Sequence, residues 1–191
     1  MNYCGRMTDE IRLSDAGALT ALAHPFRRRL LDSLSADGPS TVGQLAARTG
    51  QAVGSVSHHL KVLAAAGLVN EAPELARDRR EHWWRRVASI SWGGSTDSPA
   101  LQTAIEAATD VAFSRQVELF AGYRADQESA PDWSDAAFAS DGWLRLTPDE
   151  LDQLGKQMTA VIHRWHDRAV PEDSQDRASV FVFARGFPAR P

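Results

Sequence analysis

The block from Thr41 to Gly67 constrains the fold most, because its pattern predicts two short helices separated by a tight break. Thr41 and Gln44 have the spacing of a capping box, with a hydroxyl at the N-cap and an amide side chain three residues later. Gly50 interrupts the pattern, and an apolar stripe then recurs at helical spacing. The stripe consists of Val53, Val56, Leu60 and Leu63. The block therefore predicts a helix-turn-helix.

The segment before this block predicts two more helices. Residues 1–12 are interpreted as a frayed leader, after which Ser14 is placed to cap a first helix that runs through Leu22. Pro25 starts a second helix, and the turn sequence at residues 37–39 ends it. These elements complete a mostly helical domain in the first half of the chain.

A change from helical to alternating periodicity after Gly67 predicts a β-hairpin, or wing. Residues 68–72 and 81–87 are its expected strands, and a charged tip joins them. A helix-turn-helix can place its second helix in the major groove of DNA. The cations at the wing tip are then expected beside the DNA backbone or in the minor groove. They are Arg77, Arg79 and Arg80, with Arg85 and Arg86 behind them. Trp83 and Trp84 alternate across the second strand, so one of them is expected to pack inward.

The second half predicts a long helix and then a strand, a helix and a strand. Ser98 and Pro99 give the N-cap and first-turn signals of a helix that reaches about Glu128. At about 1.5 Å per residue it is about 45 Å long, which predicts packing on another subunit. The extension comprises strands at Trp143–Leu146 and Ser179–Phe187 and an amphipathic helix between them. We expect two domains: residues 1–92, which bind DNA, and residues 93–191, the dimerisation helix and C-terminal extension.

The formal net charge of −4 conceals an uneven distribution. Residues 24–92 contain 10 Lys and Arg against 6 Asp and Glu, whereas residues 93–191 contain 9 against 16. This asymmetry is typical of a chain in which one part meets phosphates and the other meets protein or solvent. The acidic total also motivates the main alternative, a winged-helix protein-interaction module that does not bind DNA.

Helical projection selects the candidate DNA contacts on the second helix of the helix-turn-helix. At about 100° per residue, one face lies opposite the apolar stripe and carries small, polar or cationic groups. That face carries Gln51, Gly54, Ser55, His58 and Lys61, with Ser57 and His59 on its flanks. Such groups suit base-edge hydrogen bonds and phosphate contacts, although a generic solvated face is the alternative. Gly54 either gives the backbone access to DNA or is simply tolerated near a helix start.

Two sequence blocks resemble the arsenic-repressor (ArsR) type of winged-helix regulator. The first runs from Val56 to Leu63 and continues with residues 66–69, and the second comprises residues 23–27 with Leu30 and Leu31. The resemblance covers about residues 24–87. It implies a homodimer with a five-helix core and a wing, which binds double-stranded DNA at an inverted repeat, usually as a repressor. The residues that it implies as DNA contacts are Ser55, Ser57, His58, His59 and Lys61.

The sequence departs from the metal-sensing members of that family. Thr41 and Gly43 stand where those members carry a Cys-x-Cys pair, and residues 98–128 contain no histidine. Elsewhere, His58 and His59 diverge by about 100° on a helix, and His163 and His166 lack further convergent ligands. We therefore expect no metal, no cofactor and no enzymatic activity.

The C-terminal half is rich in aromatic residues, which suit either a core or an apolar pocket. A small-molecule-gated sensor without metal, with an apolar effector between the long helix and the extension, is therefore a further alternative. No apolar run approaches the length of a membrane span, and the start lacks the pattern of a signal peptide. Cys4 is the only cysteine, so no disulfide forms within one chain. The expected setting is the cytoplasm, without membrane contact.

Overall fold

The computed structural model describes residues 10–78, 81–87, 89–94, 96–127 and 131–190, which form a mostly helical fold with two small sheets. The helices are α1 (Ala16–Leu22), α2 (Pro25–Ala36), α3 (Val42–Thr49), α4 (Val53–Ala65), α5 (Pro99–Asp126), α6 (Pro131–Ala136) and α7 (Pro148–His166). The strands are β1 (Glu10–Arg12), β2 (Ser40–Thr41), β3 (Val69–Glu71), β4 (Trp83–Arg86) and β5 (Ser89–Ser91). The predicted fold class, a winged helix with added helices, is confirmed. These residues divide into two compact units, 10–115 and 116–190.

The core of the first unit is built from the apolar faces of four helices. Each of α1 to α4 contributes a completely buried leucine, and these leucines belong to one cluster. They are Leu19, Leu30, Leu45 and Leu60. Burying a leucine side chain stabilises the fold by about 1.5–3 kcal/mol, so this cluster holds α4 firmly against the other three helices.

The wing is an antiparallel sheet in the order β2, β4, β3. The change in periodicity predicted the hairpin of β3 and β4, whereas the third strand, β2, was not predicted. Ser40 pairs with Trp84, and Val69 pairs with Arg86. Trp84 is buried and Trp83 is half-buried, so the expected alternation across β4 is confirmed. A single 3₁₀ turn at Pro73–Leu75 begins the connection between β3 and β4.

The start of the described chain differs from the predicted frayed leader. Residues 10–12 form β1, which pairs in parallel with β5 and places Ile11 opposite Ile90. The cap of α1 is Asp15 rather than Ser14, because the Asp15 carboxylate accepts a hydrogen bond from the Ala18 amide at 2.7 Å. The strand escaped prediction because its partner lies far along the chain, where local periodicity gives no information.

The second unit confirms the predicted helix and corrects the predicted strands. Helix α7 begins with the expected capping box between Thr147 and Glu150. Trp143–Leu146 and Ser179–Phe187 form no strand ladder with any described residue, so both strand predictions were wrong. An alternating pattern marks a segment with one apolar side, but a strand also needs a backbone partner. The described part of the chain supplies none, and the large apolar side chains of both segments are exposed.

Helix α5 begins in the first unit with small residues against the core. Ala104, Ala108 and Ala112 are buried, and their spacing places them on one face. The division of the chain at residues 92 and 93 stays a prediction. No helix among the described residues is long and apolar enough to cross a membrane.

Candidate nucleic-acid interface

Local hydrogen bonds define the start of α3 and the turn that follows it. The Thr41 hydroxyl accepts from the Gln44 amide at 3.2 Å, and the Gln44 side chain accepts from the Thr41 amide at 2.8 Å. This is the predicted capping box. At the other end of α3, Gly50 adopts a left-handed conformation with φ of 67°, which favours glycine. The Gln51 amide then donates to the Ala46 carbonyl at 3.2 Å and closes the turn.

Long-range contacts hold this turn in place. The Arg29 guanidinium donates to the Thr49 carbonyl at 3.3 Å, which ties α2 to the end of α3. The Arg48 guanidinium donates to the Ser40 hydroxyl at 2.7 Å, which ties α3 to the wing sheet. The orientation of α3, and with it the point at which α4 begins, is therefore set by two neighbouring elements.

The outer side of α4 is free of the core. Val56, Leu60 and Leu63 are fully buried, so the opposite side of the helix faces outward. We call this side the recognition face; it comprises Gln51, Gly54, Ser55, His58 and Lys61. Of these, only Ser55 is half-buried and the others are exposed. Four of the five predicted residues therefore lie on the outer side of α4, and Ser57 is half-buried on its flank. Gln51 is exposed in the turn just before the helix begins.

His59 lies away from the recognition face. Its ring centroid lies 4.7 Å from that of His24 and 5.0 Å from that of Phe26, in an edge contact with the phenylalanine. Burial lowers the pKa of His59, and the nearby charges of His24 and Arg27 lower it further. The neutral ring is therefore favoured, as in a packed core histidine. A DNA contact by His59 stays a prediction that this placement does not favour.

Val53 is a surface residue that helical projection wrongly placed in the buried stripe. The side chain is 57% exposed, and its neighbours Ala52 and Gly54 are exposed as well. The first turn of α4 extends past the end of the core, so no packing partner covers the stripe there. Only the positions of the other helices show that the core ends before Val53.

The wing presents fewer free cations than the sequence suggests. Arg77 is exposed, as expected, whereas Arg79 and Arg80 lie outside the described residues. Arg85 forms an ion pair with Glu74. Among the described residues, Arg77 is thus the arginine near the tip that is exposed.

Arg86 does not stand behind the wing tip. Its guanidinium points toward α2, where it donates to the Ser35 hydroxyl at 2.6 Å. Burial and, to a smaller extent, the nearby charge of Arg28 lower the pKa of Arg86 to about 10, although Asp32 opposes the shift. The side chain stays protonated at neutral pH, and it links the wing to α2 rather than meeting phosphates.

The geometry of α2 to β3 agrees with a family comparison. Residues 22–72 match the model of a helix-turn-helix domain. No curated protein matches the chain. The matched residues include the whole of α2, α3, α4 and β3, and the match supports a DNA-binding regulator. Among the described residues, no group of three or more His, Cys, Asp or Glu is placed to hold a metal ion.

Proposed function

We propose that this protein is a sequence-specific transcriptional regulator of the arsenic-repressor type, which binds an inverted-repeat operator as a homodimer and acts as a repressor in the cytoplasm. One observation carries the proposal: α4 is fixed by its buried leucines while its recognition face stays open. A helix held in this way can enter the major groove with its N-terminal residues toward the base edges. We propose residues 1–92 as the DNA-binding domain and residues 93–191 as the dimerisation helix and extension.

The residues of the recognition face differ in their proposed roles. Gln51 and His58 carry hydrogen-bonding groups that suit base edges, and Ser55 and Ser57 suit either bases or phosphates. Gly54 has open space around its missing Cβ, so backbone can come close to DNA there. Lys61 is exposed and suits a phosphate. On the wing we assign backbone or minor-groove contacts to Arg77, Arg79 and Arg80.

Helix α5 supports the homodimer. Phe113, Val117 and Phe120 are each about half exposed, and their spacing of four and three residues places them on one side of the helix. This stripe lies nearly opposite the buried alanines of the same helix. A long helix with half-exposed apolar side chains such as Val117 and Phe120 on one side is suited to pack against its own copy in a two-fold dimer.

Retention on duplex DNA should depend steeply on salt if cations displace counterions from phosphates. If the dimer neutralises about four phosphates, the slope of log Kobs against log salt is about −3.6, which predicts a loss of affinity of about a hundredfold between 50 and 200 mM salt. The measurement is a titration of labelled duplex at several salt concentrations. Weak binding that does not respond to salt would favour the protein-interaction module instead.

A variant makes this test specific to the recognition face. Lys61→Gln should reduce the salt slope by about two, because a homodimer loses one phosphate contact in each half-site. Lys156→Gln is the matched control, since Lys156 lies on α7 and pairs with Asp152 at 2.6 Å. An equal change in both variants would contradict the assignment of Lys61.

The small-molecule-gated alternative remains a second proposal, motivated by exposed aromatic side chains in the second unit. Trp143, Trp165 and Phe187 are 69%, 64% and 71% exposed, and none of the described residues from 116 onward is buried. Such groups suit an apolar ligand as well as a protein surface. Stabilisation of the protein by an apolar compound in a thermal-shift screen would support a gated regulator.

A further inference from the structure

The first turn of α4 carries one protruding apolar group among very small ones. Residues 52–55 are Ala, Val, Gly and Ser, so Val53 has the largest side chain in the turn. A Cβ built at Gly54 meets nothing within 4 Å, and the N-cap residue Ala52 makes no side-chain hydrogen bond. Val53 is therefore the largest exposed apolar group of this turn, and small neighbours leave space around it.

The position of Val53 decides what that surface is under the proposed function. The N-terminal residues of a recognition helix are those that reach the base edges in the major groove. Val53 is the first residue of α4, and in the sequence it lies between Gln51 and Gly54, two exposed residues of the recognition face. Its side chain has no hydrogen-bonding group, so it cannot read a donor or an acceptor.

The major groove offers one apolar group, the C5-methyl of thymine. We propose that Val53 contacts a thymine methyl group in each half-site and so contributes to operator specificity. This inference rests on the proposed DNA-binding function. It assigns an apolar contact to a position that helical projection placed in the core.

The test removes the methyl group without changing any hydrogen bond of the base pair. The probe is the most enriched duplex from a random library, in which each symmetric pair of thymines is replaced in turn by deoxyuridine. We expect one symmetric pair whose replacement weakens binding of the unchanged protein about fifteenfold, because one methyl contact is lost in each half-site. This estimate assumes about fourfold for each lost methyl contact, which corresponds to about 0.8 kcal/mol for each buried methyl or methylene group.

The Val53→Ala variant closes a cycle between the side chain and the methyl group. In this variant, the same deoxyuridine replacement should change affinity by less than about twofold. Val170→Ala is the matched control, because Val170 is also exposed but lies after α7, and it should respond as the unchanged protein does.

The outcomes separate this inference from the proposed function. Binding that no deoxyuridine replacement weakens, or an equal loss in Val53→Ala and the unchanged protein, overturns the thymine contact and leaves DNA binding intact. If no duplex is enriched, the proposed function fails and the inference fails with it. Equal affinity of Val53→Ala and the unchanged protein for the selected duplex would likewise overturn the thymine contact.

Discussion

Replacing His58 with alanine is expected to weaken binding to the selected operator by at least about thirtyfold. A specific base contact contributes about 1–3 kcal/mol, and a homodimer loses it twice. The loss should be much smaller on a random duplex, because phosphate contacts carry little sequence information. The measurement is a comparison of Kd values on both duplexes at one salt concentration.

The thermal stability of the His58→Ala variant is the control for this prediction. His58 is exposed on the outer side of α4, so its replacement should shift the melting temperature by no more than about 2 °C. His166→Ala is the matched variant, since His166 is an exposed histidine at the end of α7, and it should leave operator affinity unchanged. His58→Ala with unchanged operator affinity would remove His58 from the interface.

The second large effect is expected on α5. Introducing two glutamates, Val117→Glu with Phe120→Glu, should convert the proposed homodimer to a monomer at micromolar concentration. The change removes apolar side chains from the stripe and would leave unpaired charges in the interface, at a cost of about 3–5 kcal/mol for each such charge. Light scattering should then give a mass near 20.9 kDa instead of twice that value. Operator affinity should fall together with dimerisation.

A matched pair of substitutions tests whether the position or the charge matters. Ser114 and Ala121 are exposed on α5 but lie roughly 90° and 70° away from the centre of the apolar stripe. Ser114→Glu with Ala121→Glu adds the same charge and should leave the dimer intact. Equal dissociation in both double variants would show that charge alone separates the chains, and an intact dimer in both would place the interface elsewhere.

The elements that the sequence predicts well are those set by neighbouring residues. The Thr41 and Gln44 capping box forms because its bonded atoms lie within four positions of each other. Gly50 ends α3 because of its own backbone freedom. Four exposed residues of the recognition face were predictable for a similar reason, since helical spacing alone sets them opposite Leu60.

The features that the sequence could not indicate are mostly contacts between distant parts of the chain. Val53 has the spacing of a core residue, but the core ends before it. Arg86 has the sequence context of a wing cation, but α2 receives its guanidinium. His59 likewise packs on His24 and Phe26, which no periodicity within α4 could indicate.

Strand prediction in the C-terminal extension failed for the same reason, because pairing depends on distant residues. Trp143–Leu146 and Ser179–Phe187 have suitable alternation, yet neither has a backbone partner among the described residues. Conversely, β1 forms from residues with no strong pattern because β5 supplies a partner. Strand formation depends on pairing, whereas helix formation depends mainly on the segment itself.

Selection of bound duplexes from a random library tests the central claim most directly. The protein should enrich a palindromic consensus with half-sites about one helical turn apart, because two recognition faces related by a two-fold axis meet one duplex. Enrichment should be lost with His58→Ala. Failure to enrich any sequence, with the protein folded and dimeric, would contradict the regulator account.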